Sequence, residues 1–129
     1  MKLNPDCMRD ILVSIEETTD YYTMFEYLAD DNKHPKLSKY SHDEIAYHIH
    51  QCNLAELIFD CHFHGNGAYI TVDDLTPAGH EFLANTRQDS IWENTKEIAA
   101  KIGATSMGSL VQIAGSVVTE IIKNHFGFK

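Results

Sequence analysis

Asp74-Leu75-Thr76-Pro77-Ala78-Gly79-His80-Glu81-Phe82-Leu83 is where a short strand is predicted to end and a helix to begin. Thr76 is a natural N-cap, because its hydroxyl can accept from an orphan amide of the first helical turn. Pro77 fits that turn, where its missing N–H costs nothing. The helix is expected from Thr76 to Thr86 and should bury Phe82 and Leu83. Gly79 inside it costs roughly 1 kcal/mol against alanine. Close approach to a neighbouring backbone is the expected reason for it.

Working back toward the N-terminus, Leu57 to His64 and Ala68 to Asp73 read as two strands. Between them, His64-Gly65-Asn66-Gly67 is rich in residues that tolerate positive φ, as a hairpin turn requires. Ser41-His42-Asp43-Glu44 is a capping box, with serine at the cap and glutamate three residues on. The helix it opens runs to about Leu54, with Ile45, Ile49, Cys52 and Ala46 inward. Asn4-Pro5-Asp6 starts an earlier helix, whose apolar face is Met8, Ile11, Leu12 and Ile15 and whose end falls near Thr18. Thr23 to Leu28 has the aromatic and β-branched content of a strand but is short enough to stay ambiguous. Asp30 to Pro35 reads as a loop, and Pro35 to Tyr40 as one helical turn. Helix, hairpin and capped helix in that order form the back half of a winged helix. The expected class is therefore α+β: a winged-helix domain with a β-hairpin wing over residues 1–88, and two additional C-terminal helices in 89–129.

The first added helix spans Ser90 to Ile102, anchored by Ile91, Trp92, Ile98 and Ile102 and ended by Gly103. The second runs from about Ser106 to Asn124. Its apolar residues, Leu110, Val111, Ile113, Ala114, Val117, Val118, Ile121 and Ile122, make too wide a stripe for a helix packed on one side. Gln112, Thr119 and Glu120 interrupt it, and a membrane span needs about 20 apolar residues. No membrane association is expected. The second surface is most simply covered by another copy of the chain. Leu110, Ala114, Val117, Val118 and Ile121 are the expected dimerisation residues, and Gly108 and Gly115 would let two helices approach. The competing reading lays this helix in a groove of its own domain.

The 129 residues carry a net charge of −9, and 43% are hydrophobic, enough for a core. The charge is uneven: six Lys and Arg stand against fifteen Asp and Glu through Gln88, and four against four from Asp89 onward. Proteins that bind nucleic acid gain most of their affinity by neutralising phosphates, and an acidic domain opposes that. The start, Met1-Lys2-Leu3-Asn4-Pro5-Asp6-Cys7, has no apolar run and does not read as a signal peptide. Three cysteines at irregular spacing point to reduced thiols and a cytoplasmic location.

Lys2-Leu3-Asn4-Pro5-Asp6-Cys7, Arg9-Asp10-Ile11-Leu12, Tyr47-His48-Ile49 with Gln51-Cys52, the stretch from Asp74 to Leu83, and Trp92 with Thr95-Lys96 form one pattern. It resembles a domain of unknown function found in short proteins encoded by phages, prophages and their bacterial hosts. The resemblance covers nearly the whole chain, Tyr21 to Lys39 excepted. It implies a small cytoplasmic protein linked to mobile elements, and it brings no catalytic residues.

In a winged helix the third helix commonly enters the major groove. Here that helix holds no Lys or Arg. Its candidate readers are His42, His48, His50, Gln51 and Asn53, and the candidate wing contacts are His62, His64 and Asn66. His48, Cys52, Cys61, His62 and His64 also raise the question of zinc, but the regular paired spacing of a zinc site is missing. No metal, cofactor or catalytic set is expected, and the chain is not read as an enzyme. Asp30, Asp31, Asp43, Glu44, Asp73 and Asp74, with Asp20, Glu26 and Asp60, offer an acidic surface. The expected role is a non-enzymatic regulatory or interaction module whose partners are itself and a host or phage protein. Inhibition of a basic nucleic-acid-handling protein is the sharper form of that reading. A dimeric winged-helix regulator bound to duplex DNA is the alternative, disfavoured by charge.

Overall fold

A computed structural model describes residues 1–103 and 106–127. In chain order it contains α1 (Pro5–Thr18), β1 (Phe25–Leu28), a 3-10 turn (Pro35–Leu37), α2 (His42–Leu54), β2 (Ile58–His64), β3 (Tyr69–Leu75), α3 (Pro77–Thr86), α4 (Asp89–Ile102) and α5 (Met107–Phe126). The class is α+β, with five α-helices and one antiparallel sheet among the described residues. The chain forms two compact units, residues 1–80 and 81–129, so the division falls within α3.

In the first unit the helices start where capping chemistry requires. Asn4 Oδ1 accepts from the Asp6 and Cys7 amides at 3.1 and 3.3 Å, and Pro5 occupies the first turn. Ser41 Oγ accepts from the Glu44 amide at 3.2 Å. The other half of the expected capping box is not made by Glu44. Its carboxylate instead accepts from Asn4 Nδ2 at 3.2 Å, tying the starts of α1 and α2 together. Cys7, Met8, Ile11, Leu12 and Ile15 of α1 and Ile45, Ile49 and Cys52 of α2 are buried, and α1 packs on both α2 and the sheet.

The strands lie in the order β1-β3-β2. Phe25 and Tyr27 pair with Val72 and Ile70, and all four are buried. Thr23 to Leu28, ambiguous by composition, is thus a strand from Phe25 because its alternate residues have a core to enter. The register between β2 and β3 holds from Ile58↔Leu75 to His64↔Tyr69, with no pair at Asp60. Asp60 has φ 55, in the left-handed region that is uncommon for residues other than glycine. Two aspartates, Asp60 and Asp73, fall opposite each other there. Like charges at opposed positions weaken a sheet, and the ladder breaks at this point.

His34 protects the far edge of the sheet. Its side chain is buried and stacks on Phe25 at 4.5 Å. Its Nε2–H donates to the Glu26 carbonyl at 2.7 Å. Sequence reading placed His34 in an anonymous loop.

The connection from α2 to β2 explains Gly79. Glu56 has φ 59, and its amide bonds to Asn53 O while the Leu57 amide reaches Cys52 O. This is a Schellman closure with glutamate where glycine is usual. It leaves the Leu57 carbonyl pointing at α3, where it accepts from the Thr76 amide at 3.0 Å. The Thr76 hydroxyl donates to Glu56 O at 2.6 Å and accepts from the Gly79 amide at 3.1 Å. A Cβ at position 79 would collide with the Leu57 carbonyl oxygen and press on Leu75 Cβ at 3.3 Å.

In the second unit, Phe82 of α3 meets Trp92 of α4 edge-on at 5.9 Å. Gly103, at φ 70, ends α4, and the Ser106 hydroxyl caps α5 by accepting from the Ser109 amide. Trp92, Thr95 and Ala99 form the buried seam of α4. Ile102, expected as an anchor, is instead 66% exposed. Met107, Leu110, Ala114 and Val117 form the buried seam of α5, and α4 and α5 pack together. No helix among the described residues is long and apolar enough to cross a membrane.

Candidate interaction surface

The residues expected to read a groove separate into different environments. His48 is fully buried. The Asn4 N–H donates to its Nε2 at 2.8 Å. Its Nδ1 lies 2.7 Å from the Glu44 carbonyl, which only accepts, so the proton sits on Nδ1. Both nitrogens are occupied inside the protein, and His48 is corrected from an exposed reader to a brace between α1 and α2. The helical period already placed it inward, three residues after Ile45 and four before Cys52.

His42 is also engaged. Its ring stacks on Tyr27 at 5.8 Å, and its Nδ1 lies 2.9 Å from the Tyr27 hydroxyl. His50 is exposed on α2 and meets the Phe63 ring edge-on at 5.8 Å. Gln51 and Asn53 are half-buried. From Tyr40 through His80 there is no Lys or Arg, so neither α2 nor the hairpin offers a fixed cation to a phosphate.

The hairpin shows a different surface. His62 and His64 of β2 are exposed and stack at 6.5 Å, and His64 stacks on Tyr69 of β3 at 5.4 Å. His62 Nε2 donates to Asp60 Oδ1 at 2.8 Å. Asn66 takes its expected place in the turn, at φ 58. Phe59 is 57% exposed and Phe63 is 39% exposed. Sequence reading missed both phenylalanines as surface residues. Ile58 and its partner Leu75 are buried, while Phe59 and its partner Asp74 are not. The kink at Asp60 resets the alternation along β2.

The acidic residues also divide. Asp30, Asp43 and Asp73 are exposed, and Asp31 pairs with Lys33 at 3.5 Å. Glu44 is held by Asn4 as described. Asp74 Oδ1 accepts from its neighbour Leu75 N at 2.7 Å and from the Thr19 hydroxyl at 3.4 Å, with His80 Nε2 at 3.8 Å. Asp74 thus helps seat the start of α3. Asp20 accepts from the Tyr22 and Thr23 amides at 2.8 Å, and the Tyr22 amide leads the causes that hold its carboxyl below the usual range.

The thiols are held protonated. Burial, with help from Glu44 and Asp10, pushes Cys7 up to about 12. Burial and Asp60 push Cys61 to about 11, and burial raises fully enclosed Cys52 as well. Only a thiolate is an effective nucleophile. Cys61 is therefore expected to label with a thiol reagent slowly at pH 8, the rate rising about tenfold per pH unit toward pH 10. Cys7 and Cys52 should react only after unfolding. Mass spectrometry of timed quenches checks both, and rapid labelling at pH 7 would contradict the assignment. Among the described residues no three His, Cys, Asp or Glu side chains gather as a metal site.

The fold and surface thus define a small α+β protein whose second helix and hairpin present acids, imidazoles and aromatic rings without cations. Residues 2–106 match the family model described as Hypothetical protein (DUF2513), and the chain belongs to that family. No curated protein and no solved structure shows significant similarity to it. Residues 107–129, and with them all of α5, lie beyond the family match.

Proposed function

We propose that this protein is a non-enzymatic interaction module of mobile-element type, built on a winged-helix scaffold and acting on a basic protein partner in the cytoplasm. The observation that carries the reading is the absence of Lys and Arg from Tyr40 through His80, a stretch whose exposed carboxylates are Asp43, Glu56, Asp60 and Asp73. Carboxylates standing where a phosphate-binding face would place cations suit a surface rich in Lys and Arg. Such surfaces belong to proteins that handle nucleic acid, and masking one would inhibit it. The winged-helix reading is supported by the element order α1, β1, turn, α2, β2, β3 and by the strand order β1-β3-β2.

The same element order is the one observation that favours duplex DNA, with His50, Gln51 and Asn53 of α2 as the groove-facing set. Fluorescence anisotropy separates the two readings. A labelled oligoarginine peptide should bind at low salt and weaken steeply as salt rises. A labelled DNA duplex should not bind under the same conditions. Asp43→Lys and Asp73→Lys, both at exposed positions, should each weaken the peptide several-fold. Tight DNA binding with a steep salt slope, or peptide binding indifferent to both substitutions, would overturn the proposal.

A further inference from the structure

The packed pair α4 and α5 leaves an apolar groove open on its surface. The groove has a volume of about 540 Å³ and is lined by Ile98 of α4 and by Ile113, Val117 and Ile121 of α5. Ile121 is 47% exposed, as is its neighbour Ile122. Val117 belongs to both the groove and the buried seam of α5, which runs through Met107, Leu110, Ala114 and Val117. Ile98, Ile113 and Ile121 lie outside the residues buried in α4 and α5. Leu110, Ala114 and Val117, expected at an interface between copies, are already buried in the single chain. The groove is rimmed by the uncharged side chains of Asn94, Gln112 and Asn124. Its one ionised group, Glu120, lies 3.8 Å from Lys123.

We propose that this face is where two copies of the chain associate, each laying its α4–α5 pair against the other about a two-fold axis to close a four-helix bundle. Charge selects the occupant. The chain carries −9 overall, yet the residues from Asp89 onward sum to zero. Two such chains repel everywhere except through this neutral end. A basic partner has no reason to prefer it. About a two-fold axis the uncharged amides on one rim can also pair with those of the other copy, since amides both donate and accept. The dimensions fit. At 14 and 20 residues, α4 and α5 are about 21 and 30 Å long. Side by side they form a face about 20 Å wide, roughly 400–600 Å² in plan, and the relief of its side chains adds accessible area toward the ~800 Å² per partner of a standard interface.

The test is sedimentation of the full chain under reducing conditions across a salt series. The wild type should sediment at about twice 14.6 kDa, and its dimer should tighten roughly threefold or more from low to high salt as repulsion is screened. That trend is opposite in sign to the one expected for a basic partner, so failure of either proposal is recognisable by itself. Ile121→Asp should weaken the dimer about 30-fold or more while circular dichroism stays unchanged. Gln112→Glu, at an exposed position, should weaken it without any risk to folding. A wild type that stays at 14.6 kDa throughout, including one that takes up an apolar small molecule instead, would overturn the inference. So would folded variants that dimerise as tightly as the wild type.

Discussion

Gly79→Ala is expected to destabilise the protein by roughly 3 kcal/mol or more, at the upper end of the cost of overpacking. On helix propensity alone the change should stabilise by about 1 kcal/mol. The sign reverses because the added methyl meets the backbone carbonyl of Leu57, an atom that no side-chain rotation can move. That carbonyl is fixed from both sides: the Leu57 amide closes the end of α2, and its oxygen accepts from Thr76. Relief would require α3 to lift, losing the bonds from the Thr76 hydroxyl to Glu56 and from the Gly79 amide to Thr76. Urea denaturation monitored by circular dichroism reads the difference directly. An alanine variant as stable as the wild type would show that α3 does not sit against the end of α2. Domains of this size have only about 5–15 kcal/mol in total, so the variant should also express poorly.

His48→Leu is expected to cost about 2–3 kcal/mol. Leucine has a similar volume, so little cavity is created. The loss comes from the Asn4 N–H, left buried against an apolar side chain, and from the Glu44 carbonyl, deprived of one donor. Asn4 also caps α1 and bonds to Glu44, so hydrogen exchange should rise first at the starts of α1 and α2. An unchanged melting temperature would remove His48 from the frame and return it to the surface. The control is His50→Leu: His50 is exposed on the same helix and should change stability by less than about 0.5 kcal/mol.

These two sites account for much of the pattern quoted from the sequence. Asn4, Cys7, His48 and Cys52 meet where α1 crosses α2, and Cys7 Sγ lies 3.9 Å from the same Glu44 carbonyl that His48 uses. Thr76 and Gly79 meet the end of α2 at Glu56 and Leu57. The distinctive residues are joints of the frame, and the surface that would meet a partner lies elsewhere.

Helix starts were legible because capping is local: Asn4, Ser41 and Thr76 announce themselves within four residues. The hairpin was legible for the same reason, through Gly65-Asn66-Gly67. His48 has the polarity of a surface residue but the period of the inner face, where Ile45 and Cys52 bracket it, and period decides its place. Phe59 could not be placed, since regular alternation fails where Asp60 takes a left-handed conformation. Glu44 and Asp74 looked like surface charge, and only long-range contacts with Asn4 and Thr19 show them to be structural. The inner and outer faces of α5 shared one wide stripe, so Leu110 and Ala114 could not be told from Ile121 without the position of α4.

The imidazole of His34, bonded across β1, bears on how the protein behaves when concentrated. Fibres that grow by strand addition need two open sides on every sheet. One side here is closed by a side chain, and the other is bent and charged at Asp60. Stacking of copies through their sheets has no straight template to follow, so concentrated solutions should resist growth by strand addition.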